Sequence, residues 1–363
     1  MVKVAKKVGL VQTCESVGCG HPDKFCDGVA DAVLTAYLKQ DKDAHVACEV
    51  CAFNKTVVVG GEFKSTAKVN HLAIAKQYLK KIWPEYYNEF KFLDCTTSQS
   101  PEINAKVNLS PENVGAGDQG ITIGYACNEN KYYLPTAHVL GSLIMKEINA
   151  SKYKDFYLDT KTLVSIDENN NAQIVLAIAH KKNYNKVKAE DFCTNIISKI
   201  IKQNKFNIKK FSISLNMAGD FVIHGSIGDS GLTGRKLAVD TYGSIANHGG
   251  GAFSGKDYTK VDRSGAYYAR WIAKNIVANN LAEKAEVRLS WEIGNPKPVT
   301  VEIDCFNTNK ISMEKINEKV SKKFNLTVYK IINVLGLKTI DYTTTTNYCH
   351  FIGKHNWEKI IKL

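Results

Sequence analysis

The 363-residue sequence predicts an α+β protein of three similar domains in a pseudo-threefold arrangement, each a mostly antiparallel four-stranded sheet with helices on one face. Three observations predict it. The order helix, hairpin, helix, further strand is readable three times along the chain. The strand runs are short and the hairpins are joined by a few polar residues, which favours antiparallel pairing. The helical segments carry apolar stripes, so each has a side to lay on a sheet. Breaks in this pattern divide the chain into an N-terminal domain over 1–104, a lid loop over 105–117, a central domain over 118–227 and a C-terminal domain over 228–363.

In the first unit Phe25, Val29, Val33 and Tyr37 recur at helical spacing. Strands over 46–52 and 56–63 follow, joined at Phe53-Asn54-Lys55, and a helix over 69–82 is stopped by Pro84. The connection 98–117 contains Pro101, Pro111, Gly115 and Gly117 with little periodicity, bracketed by Gln99 and Asp118. A long polar connection between folded units reads as a lid over a site, with Asp118 in the lid and site wall. The second unit has a strand over 120–125, a helix over 136–148 and strands over 162–166 and 173–179 around a turn at 167–171. A helix over 189–202 and closing strands over 211–215 and 221–224 complete it. The third has a helix over 265–278, strands over 286–292 and 300–304, and a helix over 313–324.

Composition is that of an ordinary globular protein, 44% hydrophobic and 23% charged, with a formal net charge of +12. Only Arg235, Arg263, Arg270 and Arg288 are arginine, the other basic residues being lysine. The lysine-rich run 181–210 arrives with Asn and Ile and reads as a solvated face; a nucleic-acid patch is the non-enzyme alternative. Three of the four arginines lie in or beside 228–270, which points to a site, because the guanidinium fork grips phosphate or carboxylate in a way lysine cannot. With no charged-then-apolar leader and no run of eighteen apolar residues, the expectation is a soluble cytoplasmic protein that binds neither membrane nor nucleic acid. Ten cysteines are then reduced thiols. Cys48 and Cys51 form C-x-x-C, but on a strand they face opposite sides, which argues against zinc.

The densest chemistry lies in Gly228-Asp-Ser-Gly-Leu-Thr-Gly-Arg-Lys236, His248-Gly-Gly-Gly-Ala-Phe-Ser-Gly-Lys-Asp257 and Lys260-Val-Asp-Arg263. Glycines let backbone N–H groups approach phosphate, Arg235, Lys236, Lys256 and Lys260 supply charge, and Asp229, Asp257 and Asp262 are candidate Mg²⁺ ligands. The run 250–256 meets the opening of a P-loop, yet Asp257 stands where Ser or Thr is required, so a P-loop NTPase is the rival enzyme class. A second constellation, Glu15-Ser-Val-Gly-Cys-Gly-His21-Pro22-Asp23-Lys24, precedes the first helix. Pro22 favours a helix start, and Asp23 suits the positive helix end.

Gly20-His-Pro-Asp-Lys24, Gly115-Ala-Gly-Asp-Gln-Gly120 and the two glycine-rich runs stand together in an order that resembles the S-adenosylmethionine synthetase family, from about Val8 to Trp357. The resemblance implies three α+β domains, a homodimer or homotetramer with sites at the subunit interface, and a reaction of ATP with L-methionine. In that reaction the sulfur attacks C5′, S-adenosylmethionine forms, and the tripolyphosphate is hydrolysed to pyrophosphate and phosphate. By resemblance His21, Lys256 and Arg235 are catalytic, with His21 assisting the departing oxygen. ATP falls to His21, Asp159, Lys161, Asp229, Arg235, Lys236, Ala252 and Lys256, and methionine to Glu62, Gln99, Asp229 and Lys260. Two Mg²⁺ ions are implied, on Asp23 and Asp262, and K⁺ on Glu49. Departures are Gly18-Cys19 for the usual Ser-Glu, Asp220 where arginine is usual, and His224 where glycine is common. Asp220 near a triphosphate would weaken nucleotide binding. Asp229 and Lys260 could equally pair with each other in an empty site.

Overall fold

The computed structural model describes residues 12–99, 108–110, 113–151 and 153–363. Its helices start where the sequence supplies caps. Helix α1 (Pro22–Gln40) has proline in its first turn and His21 as N-cap, and α2 (His71–Ile82) is capped by the Asn70 side chain. Between them, β2 (His45–Phe53) and β3 (Thr56–Lys64) form an antiparallel hairpin turned at Asn54, whose φ is 48°. After a short 3-10 helix at Pro84–Glu89, β4 (Lys91–Ser98) runs parallel to β3.

The other units repeat this plan. Helix α3 (Thr136–Ser151), the hairpin β8 (Phe156–Ile166) and β9 (Asn171–His180), helix α4 (Lys186–Asn204) and the parallel strand β10 (Lys210–Leu215) make the second. In the third, the short α5 (Leu237–Asp240) and α6 (Val261–Ala278) precede the hairpin β12 (Lys284–Trp291) and β13 (Thr300–Asp304), and α7 (Met313–Lys323) follows. It closes with α8 (Val328–Leu335) instead of a parallel strand, so this sheet has three strands among the described residues, not the four expected. The run 221–224 is not a strand either. It is held beside β9 by the His180 N–H donating to Phe221 O at 2.9 Å.

The sheets do not close within sequence units. Strand β1 (Gln12–Val17) pairs with β8 of the second, β7 (Gly120–Cys127) with β12 of the third, and β11 (Gly231–Leu232) with β2 of the first. The strand read at 120–125 therefore belongs to the last sheet, not to the second unit. Each opening strand is handed on cyclically, all three antiparallel, and this exchange ties the units into one continuous hydrophobic core. Helices α1, α3 and α6 are buried on nearly every face. The opposite sheet faces stay open, exposing Phe53 and Leu93 on the first, Leu163 and Val175 on the second, and Ile121 and Val301 on the third.

Of the lid expected over 105–117, residues 105–107, 111 and 112 lie outside the described residues. The rest includes a two-stranded ribbon of β5 (Asn108–Ser110) and β6 (Asn113–Val114). Its C-terminal end is tied down. The Ala116 N–H donates to Asn295 O at 2.9 Å, the Gly294 N–H to Ala116 O at 2.8 Å, and the Gly117 N–H to Thr259 O at 3.1 Å.

Candidate active site

Pairing of β1 with β8 sets Val17 opposite Lys161, and the ladder runs on through the Gly18 N–H to Thr160 O at 2.8 Å and the Gly20 N–H to Leu158 O at 3.0 Å. A Cβ on Gly20 would stand 2.4 Å from the Leu158 carbonyl carbon, so only glycine allows this approach. His21 is thereby laid beside Asp159 and Lys161, and Lys161 is 2.8 Å from Glu15. The His21 Nδ1 accepts from the Asp23 N–H at 3.2 Å. Burial, then Lys236 and Lys161, outweigh Asp23 and Asp229 and pull the His21 imidazole down to about 4.

Asp23 accepts from the Leu232 N–H at 2.9 Å and from Lys236 Nζ at 2.6 Å, with Arg235 Nε 3.6 Å away. Beside this cluster opens a cavity of about 270 Å³ whose walls include His21, Asp159, Lys161, Phe221, His224 and Asp229. Asp159 is 5% exposed, and burial pushes its carboxyl up to about 6 although its Oδ2 accepts from the Gly225 N–H at 2.8 Å.

The remaining expected residues form a second group. Glu49 faces Gly60 and Glu62 faces Ala47 across the β2–β3 hairpin, which puts both carboxylates on the open face of that sheet, and Ala47 bridges Lys256. Lys256 Nζ lies 2.5 Å from Asp262, and Lys260 Nζ 2.5 Å from Asp257. Partial burial raises the Glu49 carboxyl, with Lys256 opposing. The Gln99 N–H donates to Phe63 O at 3.0 Å, and its buried Oε1 has no hydrogen-bond partner among the described residues. Among the described residues, no hydrogen bond or ion pair joins this group to the one around His21.

One side of α1 holds the glycine-rich segment in place. Asp23, Asp27 and Asp31, spaced at four residues, accept from the Leu232, Gly234 and Gly255 N–H groups at 2.9, 2.8 and 2.9 Å. Gly234 has φ +78°, and a Cβ there would meet Ala252 Cβ at 2.5 Å, so the turn bearing Arg235 and Lys236 packs on the loop bearing Lys256. Asp31 also takes both terminal nitrogens of Arg263 at 2.7 and 2.8 Å, and Lys24 is 2.7 Å from Asp240 and 3.1 Å from Asp27. Asp27 and Asp31 were not singled out from sequence. Their i, i+4 repeat, on the side of the helix opposite the Phe25, Val29 and Val33 stripe, is the available signal.

Four expectations are corrected. The arginine bias is mostly structural: Arg263 is fully buried against Asp31, and Arg270 is fully buried, donating to Glu358 and to the Tyr125, Tyr132 and Tyr133 carbonyls. Arg235 alone of the three is site-facing. Asp257 is no metal ligand but a buried anchor, accepting from the Val46 N–H, Thr259 and Lys260. Lys260 pairs with Asp257 rather than with exposed Asp229. Asp220 is exposed and is not among the residues that line the cavity.

Among the described residues no three His, Cys, Asp or Glu side chains converge as a metal cage. Asp23 and Asp262 instead each offer one carboxylate beside a lysine. That donor set fits Mg²⁺, which keeps few protein ligands and takes its other oxygens from water and phosphate. Exposed Glu49 similarly offers one hard oxygen donor.

Fold and site together define a nucleotide-handling enzyme of three interlocked α+β units, with its cations gathered at glycine-rich turns. Family models for the S-adenosylmethionine synthetase N-terminal, central and C-terminal domains match residues 9–106, 113–221 and 223–359. The S-adenosylmethionine synthase of Mycoplasma capricolum subsp. capricolum is 42% identical over 370 residues, covering 97% of this chain and 95% of that protein. Those of Mesoplasma florum and Finegoldia magna are 41% and 40% identical, over 97% and 96% of this chain and the same shares of their own. The chain belongs to the S-adenosylmethionine synthetase family.

Proposed function

We propose that this chain joins ATP and methionine by attack of the sulfur on C5′, and cleaves the departing tripolyphosphate to pyrophosphate and phosphate. The observation that carries this reading is that His21 and Lys161 line the cavity while Arg235 and Lys236 meet Asp23, two residues along from His21. Cations fixed in advance around a polyanionic leaving group stabilise the charge that develops on it. His21 is neutral at physiological pH, and its Nδ1 accepts the Asp23 N–H, so its proton sits on Nε2. That N–H is then the donor for the departing O5′. Asp159 and Asp229 bind on the nucleotide side; Glu62, Gln99 and Lys260 take the methionine ammonium and carboxylate.

Asp23 and Asp262 would hold Mg²⁺, which when bound would neutralise charge on the phosphates, and Glu49 would hold K⁺. The two residue groups belong to one site completed by a second copy. Glu49 and Glu62 lie on the open face of one sheet and Lys161 on that of another, beside exposed apolar side chains that a partner covers. The enzyme therefore works as a homodimer or larger homo-oligomer, in the cytoplasm. No helix among the described residues is long and apolar enough to cross a membrane.

A P-loop NTPase is not supported. The run 250–256 follows no strand and leads into no helix until Val261. Incubation with ATP, methionine and Mg²⁺, followed by mass spectrometry and phosphorus NMR, tests the proposal. Equal amounts of S-adenosylmethionine, pyrophosphate and phosphate are expected. Methionine-independent release of ADP and phosphate would reinstate the P-loop reading.

A further inference from the structure

One buried ammonium has no part in the substrate contacts assigned above, yet it stands between two elements that carry them. Lys24 lies in the first turn of α1, next to Asp23, and its side chain is wholly buried. Its Nζ is 2.7 Å from Asp240 Oδ1 and 3.1 Å from Asp27 Oδ2. Burial pulls the ammonium down, but Asp240 and Asp27 outweigh it and hold Lys24 above the ordinary lysine range.

Each of these aspartates ties down the turn that bears Arg235 and Lys236. Asp27 Oδ1 accepts from the Gly234 N–H at 2.8 Å, on the near side of the two cations. Asp240 closes the short helix α5, and its own N–H donates to Lys236 O at 2.9 Å, on the far side. Lys24 thus reaches backbone atoms on both sides of Arg235, each through one aspartate. Asp240 is held in turn by the His350 N–H, which donates to its carbonyl at 3.0 Å. The same end of α1 carries His21 as N-cap and Asp23, whose carboxylate meets Lys236 Nζ at 2.6 Å. The start of α1 and the cationic turn therefore share one frame.

Stability alone is a poor reason to keep this ammonium. Taking a lysine and two carboxylates out of water is costly, and replacing buried ion pairs by well-packed apolar groups is often neutral or stabilising. A buried pair can instead fix a register, because a displaced partner leaves the other charge uncompensated. Here the register is that of the two cations assigned to the triphosphate relative to His21.

We propose that Lys24 is a positioning residue, which sets Arg235 and Lys236 against His21 through Asp27 and Asp240 without itself touching substrate. This rests on the assignment of Arg235 and Lys236 to the triphosphate. The test compares full-length wild type with Lys24→Met, Asp240→Leu and Asp240→Asn. Asp240→Leu leaves Lys24 paired with Asp27, so it tests the link even if Lys24→Met does not fold, and Asp240→Asn keeps an oxygen for the ammonium. Binding of inorganic tripolyphosphate in the presence of Mg²⁺ is measured by calorimetry, with kcat, KM for ATP, KM for methionine and the melting temperature.

Lys24→Met and Asp240→Leu are expected to lose about a hundredfold in kcat and about tenfold in tripolyphosphate affinity. Their KM for methionine should stay within about twofold of wild type, and Asp240→Asn should recover most of both losses. A lower melting temperature with wild-type kcat and tripolyphosphate affinity in Asp240→Leu would make Lys24 a merely structural charge and overturn the proposal. Equal losses in Asp240→Asn and Asp240→Leu would overturn it as well. Wild type that binds tripolyphosphate but makes no sulfonium product would instead contradict the reaction proposed above, while the binding comparison still tests the role of Lys24.

Discussion

Asp159, proposed for nucleotide binding, is a residue whose burial costs stability. Its carboxyl sits near 6 instead of the ordinary 3.8 because burial disfavours the charged form, with the Gly225 N–H and His224 only partly offsetting this. A carboxyl raised on folding contributes stability that is present below about 4 and is lost as pH rises through about 6. Asp159→Asn keeps an acceptor for Gly225 and removes that loss. It should be more stable than wild type by about 1–3 kcal/mol at pH 8 and nearly equal to it at pH 4, read by denaturant melts across pH. A constant difference at all pH values would place the burden elsewhere. Lys260 carries two duties in the same way, because a side chain proposed for the methionine carboxylate also neutralises buried Asp257.

At the scale of elements, α1 organises the site by presenting three carboxylates, one per turn, to backbone N–H groups of the glycine-rich segment. The Asp31–Arg263 pair is the strongest of these ties, being bidentate and fully buried. Arg263→Ala leaves Asp31 as an uncompensated buried charge, and a loss of about 3–5 kcal/mol in urea unfolding is expected. A loss below about 1 kcal/mol would show that the pair is replaceable. Hairpins and helices were legible in the sequence, because Phe25, Val29, Val33 and Tyr37 report their own face and Pro84 its own stop. So were the motif residues, whose types announce their chemistry. Buried Asp27, Asp31 and Arg263 were not, since a charge paired across more than two hundred residues looks in sequence like any surface charge. The handing of β1, β7 and β11 to other units was equally invisible, because strand periodicity marks a face and not a partner.

For the whole molecule, cyclic strand exchange leaves three open sheet faces and two separate groups of site residues. If a second copy unites them, an inactive Lys161→Ala chain and an inactive Lys256→Ala chain complement each other. Co-expressed, they form mixed dimers with one intact site, and total activity should return to about a quarter of wild type by random pairing. Mixtures no more active than either variant would mean that each chain builds its site alone. Bond choice is the deeper claim, since the P-loop rival breaks a P–O bond while the proposed reaction breaks C5′–O. A single turnover with methionine and adenosine 5′-(β,γ-imido)triphosphate, analysed by mass spectrometry, separates them most directly. S-adenosylmethionine together with intact imidotriphosphate is the predicted result, and the absence of any sulfonium product from the bound analogue would contradict it.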